Sequence, residues 1–436
     1  MKVVLVHSDF SVSLTEGFPY LPPKVTTSLF HPRTWHQEPD GGLCLYTSRD
    51  RNRSPWLDPD AFLERIDQWF EKNSQGWPDD PPALDLEAYL GLPADQRLIV
   101  YGDLDRFVGG YVTFRSEGAR AIRLHGAGKA ARKRTRELTG FVANLGELTA
   151  PPQDWDSLFD RLAESATLRK EIERGRLDVL LIQYHRSAQK GVVAITFPNA
   201  GRDPWFAPSA GFDRSSMRLR SGPASGELGG KHVYIVGAGA LGSHICDGLS
   251  RAGIGHLTIQ DSDYLTPGNM TRHFVAEPDQ FGVNKASAVK SVLSKRLYNW
   301  AEIIDVQHGL LTPQEALQVL EGDHLVVDAT GDGAVTAMLE AAANITGIRF
   351  LTTCLQNDGR TQRVDVVPPL AQAPPIPMTK VLPHLGSEVF EGGCGEPVSP
   401  TPPFAVAEAA AMAVRHIVGY LTGEPASPAG EVREFK

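Results

Sequence analysis

The run Val233-Tyr-Ile-Val leads at once into Gly237-x-Gly239-x-x-Gly242 and then into helical periodicity up to Arg251, and this junction constrains the chain more than any other feature. Glycines at that spacing allow a tight turn between a buried strand and a helix, and they let an anion approach the N–H groups of the helix terminus. His256-Leu-Thr-Ile-Gln reads as the next strand, so the segment opens as a βαβ unit of a parallel sheet. Asp261 closes that second strand, where a carboxylate accepts hydrogen bonds from a ribose. On these features alone, a nicotinamide dinucleotide and ATP both remain open.

At 436 residues the chain exceeds one ordinary core, and two or three domains are expected. The Gly/Ser-rich tract Ser221-Gly-Pro-Ala-Ser-Gly-Glu-Leu-Gly-Gly reads as a connector. The expected division is a first domain over 1–150, a middle α/β segment and linker over 151–228, and an α/β domain over 229–436. The stretch 76–150 either completes the first domain or begins another. In the first part, apolar residues at helical spacing predict a helix from near Asp60 that buries Phe62, Leu63, Ile66, Trp69 and Phe70. A polar helical stretch from Trp155 to Arg176 precedes two strands, Asp178 to Tyr184 and Gly191 to Phe197. Later helices are expected at Lys285 to Arg296 and Ala405 to Tyr420, the latter too interrupted to read as a membrane span. The N-terminus has no cleavable signal pattern, so a cytoplasmic protein is expected, with no membrane partner. A formal charge of −9 argues against a general polyanion binder, so no direct nucleic-acid partner is expected.

The polar residues after the glycine turn shift the balance toward ATP. Asp261-x-Asp263 leads into Asn269-x-x-Arg272, and Lys285 follows at the start of the next helix. A guanidinium and an ammonium directed at one cavity balance triphosphate charge and stabilise charge that develops during attack at the α-phosphorus. NAD chemistry has no need of that pair. In this order the motifs resemble the adenylation domain shared by ubiquitin-activating enzymes and bacterial sulfur-carrier adenylyltransferases. The resemblance implies a Rossmann-like adenylation fold. It also implies that Asp261 holds the ribose while Asn269, Arg272 and Lys285 surround the phosphates of ATP. Many family members carry an Asp-Asn pair near the magnesium ion; here Gly331-Asp332 stands in that turn. A hard Mg²⁺ ion takes oxygen ligands, which makes Asp332 the candidate, with Asp328 organising the loop.

The four cysteines are widely separated and lack structural zinc spacing. Cys246 falls inside a helix and Cys354 in a strand-like apolar run, so both read as packing residues. Cys394, in Gly392-Gly-Cys-Gly-Glu, sits in a loop after the nucleotide core, where the family resemblance implies the thiol that captures an adenylated acyl group. Near the N-terminus, Phe18-Pro-Tyr-Leu-Pro-Pro, His31-Pro32, His36 and Gly42-Leu43-Cys44 resemble the core of ubiquitin-conjugating enzymes. That likeness implies an α+β domain in which Cys44 is the acyl acceptor. His36 either polarises a thioester carbonyl or stabilises the loop.

The combined order, over about residues 10–75 and 225–422, resembles bacterial fusions of activating and conjugating enzymes associated with antiviral signalling. It implies activation of a donor C-terminus, either a ubiquitin-like protein or a cyclic-nucleotide synthase, and its attachment to an amine on a target. Homodimers are frequent in the family, and the resemblance implies that one of Arg214, Arg218 and Arg220 enters a neighbouring ATP site, against the ordinary and favoured reading of each as a solvated linker residue. The competing readings are a sulfur-carrier or peptide-modifying adenylyltransferase with Cys44 inactive, a non-enzymatic nucleotide-sensing scaffold, and an NAD-linked oxidoreductase.

Overall fold

A computed structural model describes residues 4–77, 84–129, 137–187, 189–198, 203–383 and 400–435. The chain folds as two units, Met1–Asp213 and Arg214–Lys436.

The first unit begins with a three-stranded antiparallel sheet, β1 (Val4–Val6), β2 (Ser11–Ser13) and β3 (Lys24–Thr26). Helix α1 (Pro59–Gln75) starts where the Asp58 carboxylate accepts the N–H groups of Asp60 and Ala61, with Pro59 at its first position, and it stops at Gly76 in a left-handed conformation. Phe62, Ile66 and Trp69 share its buried face with Val12, Val25 and Trp56. Leu63, expected inside, is 50% exposed because it falls off the 62–66–69 stripe.

Eight strands follow: β4 (Leu98–Tyr101), β5 (Gly110–Glu117), β6 (Ala121–Ala127), β7 (Leu138–Glu147), β8 (Val179–Arg186), β9 (Gln189–Thr196), β10 (Trp205–Ala207) and β11 (Ser209–Gly211). They form one sheet in the order β10-β9-β8-β7-β5-β6-β4-β11. The boundary expected at residue 150 therefore falls inside a sheet, since β7 and β8 are hydrogen-bonded parallel neighbours from Gly140↔Val179 onward. The polar helical stretch between them is two helices, α2 (Trp155–Phe159) and α3 (Ser165–Glu173).

The second unit opens with α4 (Arg214–Arg218) and α5 (Ser225–Leu228), so the expected connector is folded into this unit, with Leu228 in its core. Strands β12 (His232–Val236), β13 (His256–Gln260), β14 (Glu302–Val306), β15 (Leu325–Asp328), β16 (Phe350–Gln356), β17 (Thr361–Val367) and β18 (Gly430–Glu434) pair in the order β14-β13-β12-β15-β16-β17-β18. The first five strands of that order run parallel, and the last two pairings, β16 with β17 and β17 with β18, are antiparallel. Helices α6 (Ala240–Ala252), α7 (Lys285–Ser294) and α10 (Pro403–Leu421) pack into one core with Ile235, Ile259 and Val327. Helices α8 (Pro313–Leu320) and α9 (Gly333–Thr346) share the other with Val236, Val326 and Phe350. The α/β class expected for this half is thus the observed one. By length and composition α10 is apolar enough to cross a bilayer, against the sequence expectation, but one face lies in the core through Ala409, Ala413 and Ile417.

Sheet order places the site. Strand order reverses at β12, whose neighbours are β13 on one side and β15 on the other, and a crevice opens beyond the carboxyl ends of strands at such a point.

Candidate functional site

A cleft of about 290 Å³ sits at that switch point, and Gly237, Gly239, Asp261, Lys285 and Asp332 all line it. The three glycines serve different ends. Gly237 has φ of +93°, and a Cβ there would stand 2.8 Å from the Thr330 nitrogen. A Cβ on Gly242 would come within 1.9 Å of the Gly237 carbonyl oxygen, so Gly242 belongs to the packing of turn on helix and does not line the cleft. A Cβ on Gly239 would meet nothing within 4 Å; that position keeps open space in front of the α6 N-terminus, where backbone N–H groups favour an anion.

Ala238, inside the turn, is gripped at both of its backbone groups. Its N–H donates to Asp261 Oδ2 at 2.7 Å, and its carbonyl accepts from His273 Nε2 at 2.7 Å. The second oxygen of Asp261 accepts the N–H of Asp263 at 2.8 Å. Burial pushes the Asp261 carboxyl above the usual carboxylate range, against the pull of those two hydrogen bonds. His273 Nδ1 accepts the Val275 N–H at 3.2 Å, which fixes the neutral tautomer, and burial draws the imidazole down to about 4. The sequence reading placed Asp261 at a ribose and passed over His273; the structure gives both a part in setting the glycine turn.

Lys285 is the first residue of α7, whose N-cap Asn284 accepts the Ser287 N–H and donates to the Asp261 carbonyl. This fixes the lysine stem at the cleft wall, with the ammonium 2.8 Å from Asp263 Oδ2. Asn269 and Arg272 do not line the cleft. Asn269 Oδ1 is taken up by the N–H and hydroxyl of Thr266 in a local cap, and the Arg272 carbonyl accepts from His244 Nε2 at 3.1 Å. The expected cationic pair is therefore represented at the cleft by Lys285 alone. Asp332 caps α9 through Oδ1, which accepts the Ala334 N–H at 2.8 Å. Asp328 is buried and takes hydrogen bonds from Thr330, Thr336 and Thr352, the loop-organising part expected of it.

Among the described residues no three His, Cys, Asp or Glu side chains are grouped to hold a metal by themselves. Asp332 fits the mode in which Mg²⁺ takes one or two carboxylates and completes its shell with phosphate oxygens and water. Among the lining residues that the sequence reading missed are Gln260, Gly309, Leu310, Leu311, Ala329 and Val335, and the apolar ones of these give a surface that can cover a planar base. Their one sequence signal is Thr312-Pro-x-Glu315, a capping box that marks the start of α8 just beyond Leu311.

Of the cysteines, Cys394 lies outside the described residues. Cys246 is buried as expected. Cys354, expected in the core, is only partly buried and lines a second cavity. Cys44 is exposed, yet crowding by neighbouring protein raises its thiol to about 11, helped by the Glu38 and Asp85 carboxylates. His36 contributes its carbonyl to the Cys44 N–H and to Trp69 Nε1, and its ring lies 4.3 Å from that of Trp77, the arrangement of a loop-stabilising residue. Arg214 lies over the Trp300 ring, and the Nε atoms of Arg214 and Arg218 are buried without a hydrogen-bond partner.

Residues 217–432 match the ThiF family. Over 128 residues the chain is 38% identical to the ATP-dependent ubiquitin transferase-like protein Cap2 of Pseudomonas aeruginosa, covering 28% of this chain and 22% of that one. Over 135 residues it is 30% identical to the adenylyltransferase and sulfurtransferase UBA4 of Yarrowia lipolytica, covering 31% of this chain and 33% of that one. The chain thus aligns with no more than a third of either relative's length. Among solved structures, E. coli MccB with MccA-N7isoASN aligns over 47% of this chain and 60% of that one, at 18% identity and a TM-score of 0.38. The match to the ThiF family thus takes in nearly all of the second unit, from residue 217 to residue 432.

Proposed function

We propose that the second unit binds ATP in the cleft and joins the C-terminal carboxylate of a protein or peptide to AMP. The observation that carries this reading is the convergence of the open Gly239 turn, Asp261, Lys285 and Asp332 on one cleft within a ThiF-family domain. The donor carboxylate oxygen attacks the α-phosphorus, the bond to the bridging oxygen breaks, and pyrophosphate leaves. The N-terminus of α6 and the Lys285 ammonium hold the phosphates, and Asp261 faces the ribose while it keeps the turn in shape. Arg272 is assigned a second phosphate contact after nucleotide entry, with Asn269 beside it. Mg²⁺ held by Asp332 would neutralise phosphate charge. The names of the relatives support ATP use and a protein or peptide donor.

The later steps extend the same chemistry. The Cys394 thiolate attacks the acyl carbon and AMP leaves; Cys44 takes the acyl group by thioester exchange; an amine on the target takes it in turn and releases the thiol. The donor is a ubiquitin-like protein or the C-terminus of a cyclic-nucleotide synthase, and the working form is a homodimer. A second reading keeps adenylation and leaves Cys44 idle, as in sulfur-carrier or peptide-modifying enzymes. The raised Cys44 thiol beside two carboxylates favours it, since neither neighbour stabilises a thiolate.

Intact-protein mass spectrometry with ATP and candidate donors tests both readings. With the relay at work, Cys394→Ala removes both thioesters and Cys44→Ala leaves the first. A wild-type protein that releases donor-dependent pyrophosphate without an adduct on Cys44 establishes the second reading. ATP binding with no pyrophosphate release for any donor would sink both.

A further inference from the structure

The parallel strands of the second unit bring three histidines into one row, at the strand ends opposite the nucleotide cleft. His232 opens β12 and pairs in register with His256 at the start of β13, and the pairing of Val233 with Leu325 sets His324 on the other side of His232. Ring centroids stand 6.0 Å apart for His232 and His256 and 5.0 Å apart for His232 and His324. Glu302, the first residue of β14, extends the row at 3.5 Å from His256 Nδ1. All three histidines line a cavity of about 640 Å³ with Lys231 and Arg349, and among the described residues there Asp323 is the single acid. On a chain of net charge −9 this is a local excess of base.

The side chains are held in place. His324 Nε2 donates to the Val319 carbonyl at 2.7 Å, and its ring lies 4.9 Å from that of Tyr234. Gly322 leaves room for that ring, since a Cβ there would stand 2.0 Å from His324 Cε1. His232 Nε2 lies 2.9 Å from Thr258 Oγ1. Arg349 Nε donates to the Pro368 carbonyl at 3.1 Å, and among the described residues no carboxylate pairs with its guanidinium. A carbonyl only accepts, so the neutral His324 ring spends its one proton on Val319 and its Nδ1 carries a lone pair. That nitrogen becomes a donor only on taking a second proton. Burial and the charges of His324 and His256 draw His232 below the ordinary histidine value, against the pull of Asp323 and Glu302. Metal binding is the other chemistry of clustered imidazoles, but among the described residues no three such side chains are grouped to hold an ion.

We propose that this cavity is an oxyanion site for a phosphoryl group, held by His232, His324 and Arg349, and that binding takes up a proton from solvent at His324 Nδ1. Donors reach the cavity from β12, from the turn before β15 and from the start of β16; a tetrahedral dianion offers oxygens to all three, a planar carboxylate to two. Ile348 and Tyr420 give an apolar face for the remainder of a phosphorylated molecule. The other charged or titratable groups around the row are His256, Glu302, Asp323, Tyr234 and Lys231, the last paired with Glu227. Imidazole is the one of these group types that ordinarily changes charge between pH 6 and 8. The site stands apart from the cleft and does not depend on the adenylation reading.

Titration calorimetry of the full chain tests this, in the Lys285→Ala background so that the nucleotide cleft contributes little. The probes are sulfate, which stays a dianion from pH 6 to 8, inorganic phosphate and AMP. Sulfate should bind about tenfold more tightly at pH 6 than at pH 8, and its heat should vary with the buffer as a proton is taken up. His324→Gln and Arg349→Gln should each weaken every probe by about fivefold or more. AMP held more tightly than phosphate identifies a phosphorylated small molecule as the ligand; equal affinity identifies phosphate itself. The two variants lie on different elements, so one decides if the other does not fold, and proton uptake by the intact row decides if neither does. Sulfate binding that ignores pH and takes up no proton overturns the site, as does unaltered binding in either folded variant. Binding of none of the probes overturns it as well, and so does Ni²⁺ binding that His324→Gln abolishes while no oxyanion binds.

Discussion

The Lys285 ammonium stands 2.8 Å from the Asp263 carboxylate at the mouth of the cleft, with the lysine 14% exposed and the aspartate 67%. A polyphosphate entering the cleft must compete with that carboxylate for the ammonium. Asp263→Asn should therefore tighten ATP binding by about two- to fivefold, more at low salt than at high, while Lys285→Ala weakens it by about tenfold or more. Titration calorimetry at two ionic strengths measures both. Equal or weaker binding by the asparagine variant would show that Asp263 assists the nucleotide and does not compete with it.

The glycines of the turn separate folding from binding. Gly239→Val puts a side chain into open space, so its melting temperature should stay near that of the wild type while ATP affinity falls by about tenfold or more. Gly242→Ala drives a methyl group into the Gly237 carbonyl and should cost about 2 kcal/mol or more of stability. Thermal melts with and without ATP distinguish them. A stable Gly242→Ala protein would mean that the turn yields more readily than its packing indicates.

Local pattern made the strand, turn and helix around Gly237 legible, because each signal there lies within a few residues of the next. It also exposed Asp261 and Lys285, which border consecutive elements. Leu310, Ala329 and Val335 reach the same cleft only because β14 and β15 flank β13 and β12, an order no spacing in the chain encodes. The same holds for Arg363, whose partners Pro377 and Thr379 follow a strand end and a loop. The misjudged boundary at residue 150 has a related cause, since β7 and β8 are joined by helices and paired by tertiary contact. Arg272 was paired with Lys285 through charge and motif order, and neither reports that the segment before it is folded on the Asn269 cap, away from the cleft lining.

Acid should weaken the second unit through His273. Its pKa in the fold, about 4, lies below the ordinary histidine value of 6.5. Between those values the unfolded chain takes up a proton that the native state refuses, so the contribution is whole above pH 6.5 and is lost as pH falls toward 4. The loss amounts to at most roughly 3 kcal/mol. His273→Gln keeps a donor for Ala238 and cannot titrate. Urea unfolding across pH 4.5 to 7.5 should give a shallower decline for this variant, and an identical slope in both proteins would assign the acid sensitivity elsewhere.

The thiols should differ in reactivity by access more than by acidity. Burial raises Cys354 to about 11 and Cys246 to about 12, and the crowded Cys44 stands at about 11, so all three are protonated near neutral pH. Alkylation proceeds through the thiolate, and its rate at each accessible site should still be rising at pH 9. Cys44 is exposed, Cys246 is enclosed in the core, and Cys354 is partly covered in the second cavity by a strap, residues 373–383, that Arg363 latches through the Ile376 and Pro377 carbonyls. Peptide mapping after iodoacetamide should find Cys44 modified first, Cys354 more slowly, and Cys246 only on unfolding. Arg363→Met, by loosening the strap, should speed Cys354 and leave Cys44 unchanged. An unaltered Cys354 rate in that variant would mean that the strap keeps its place without the Arg363 latch.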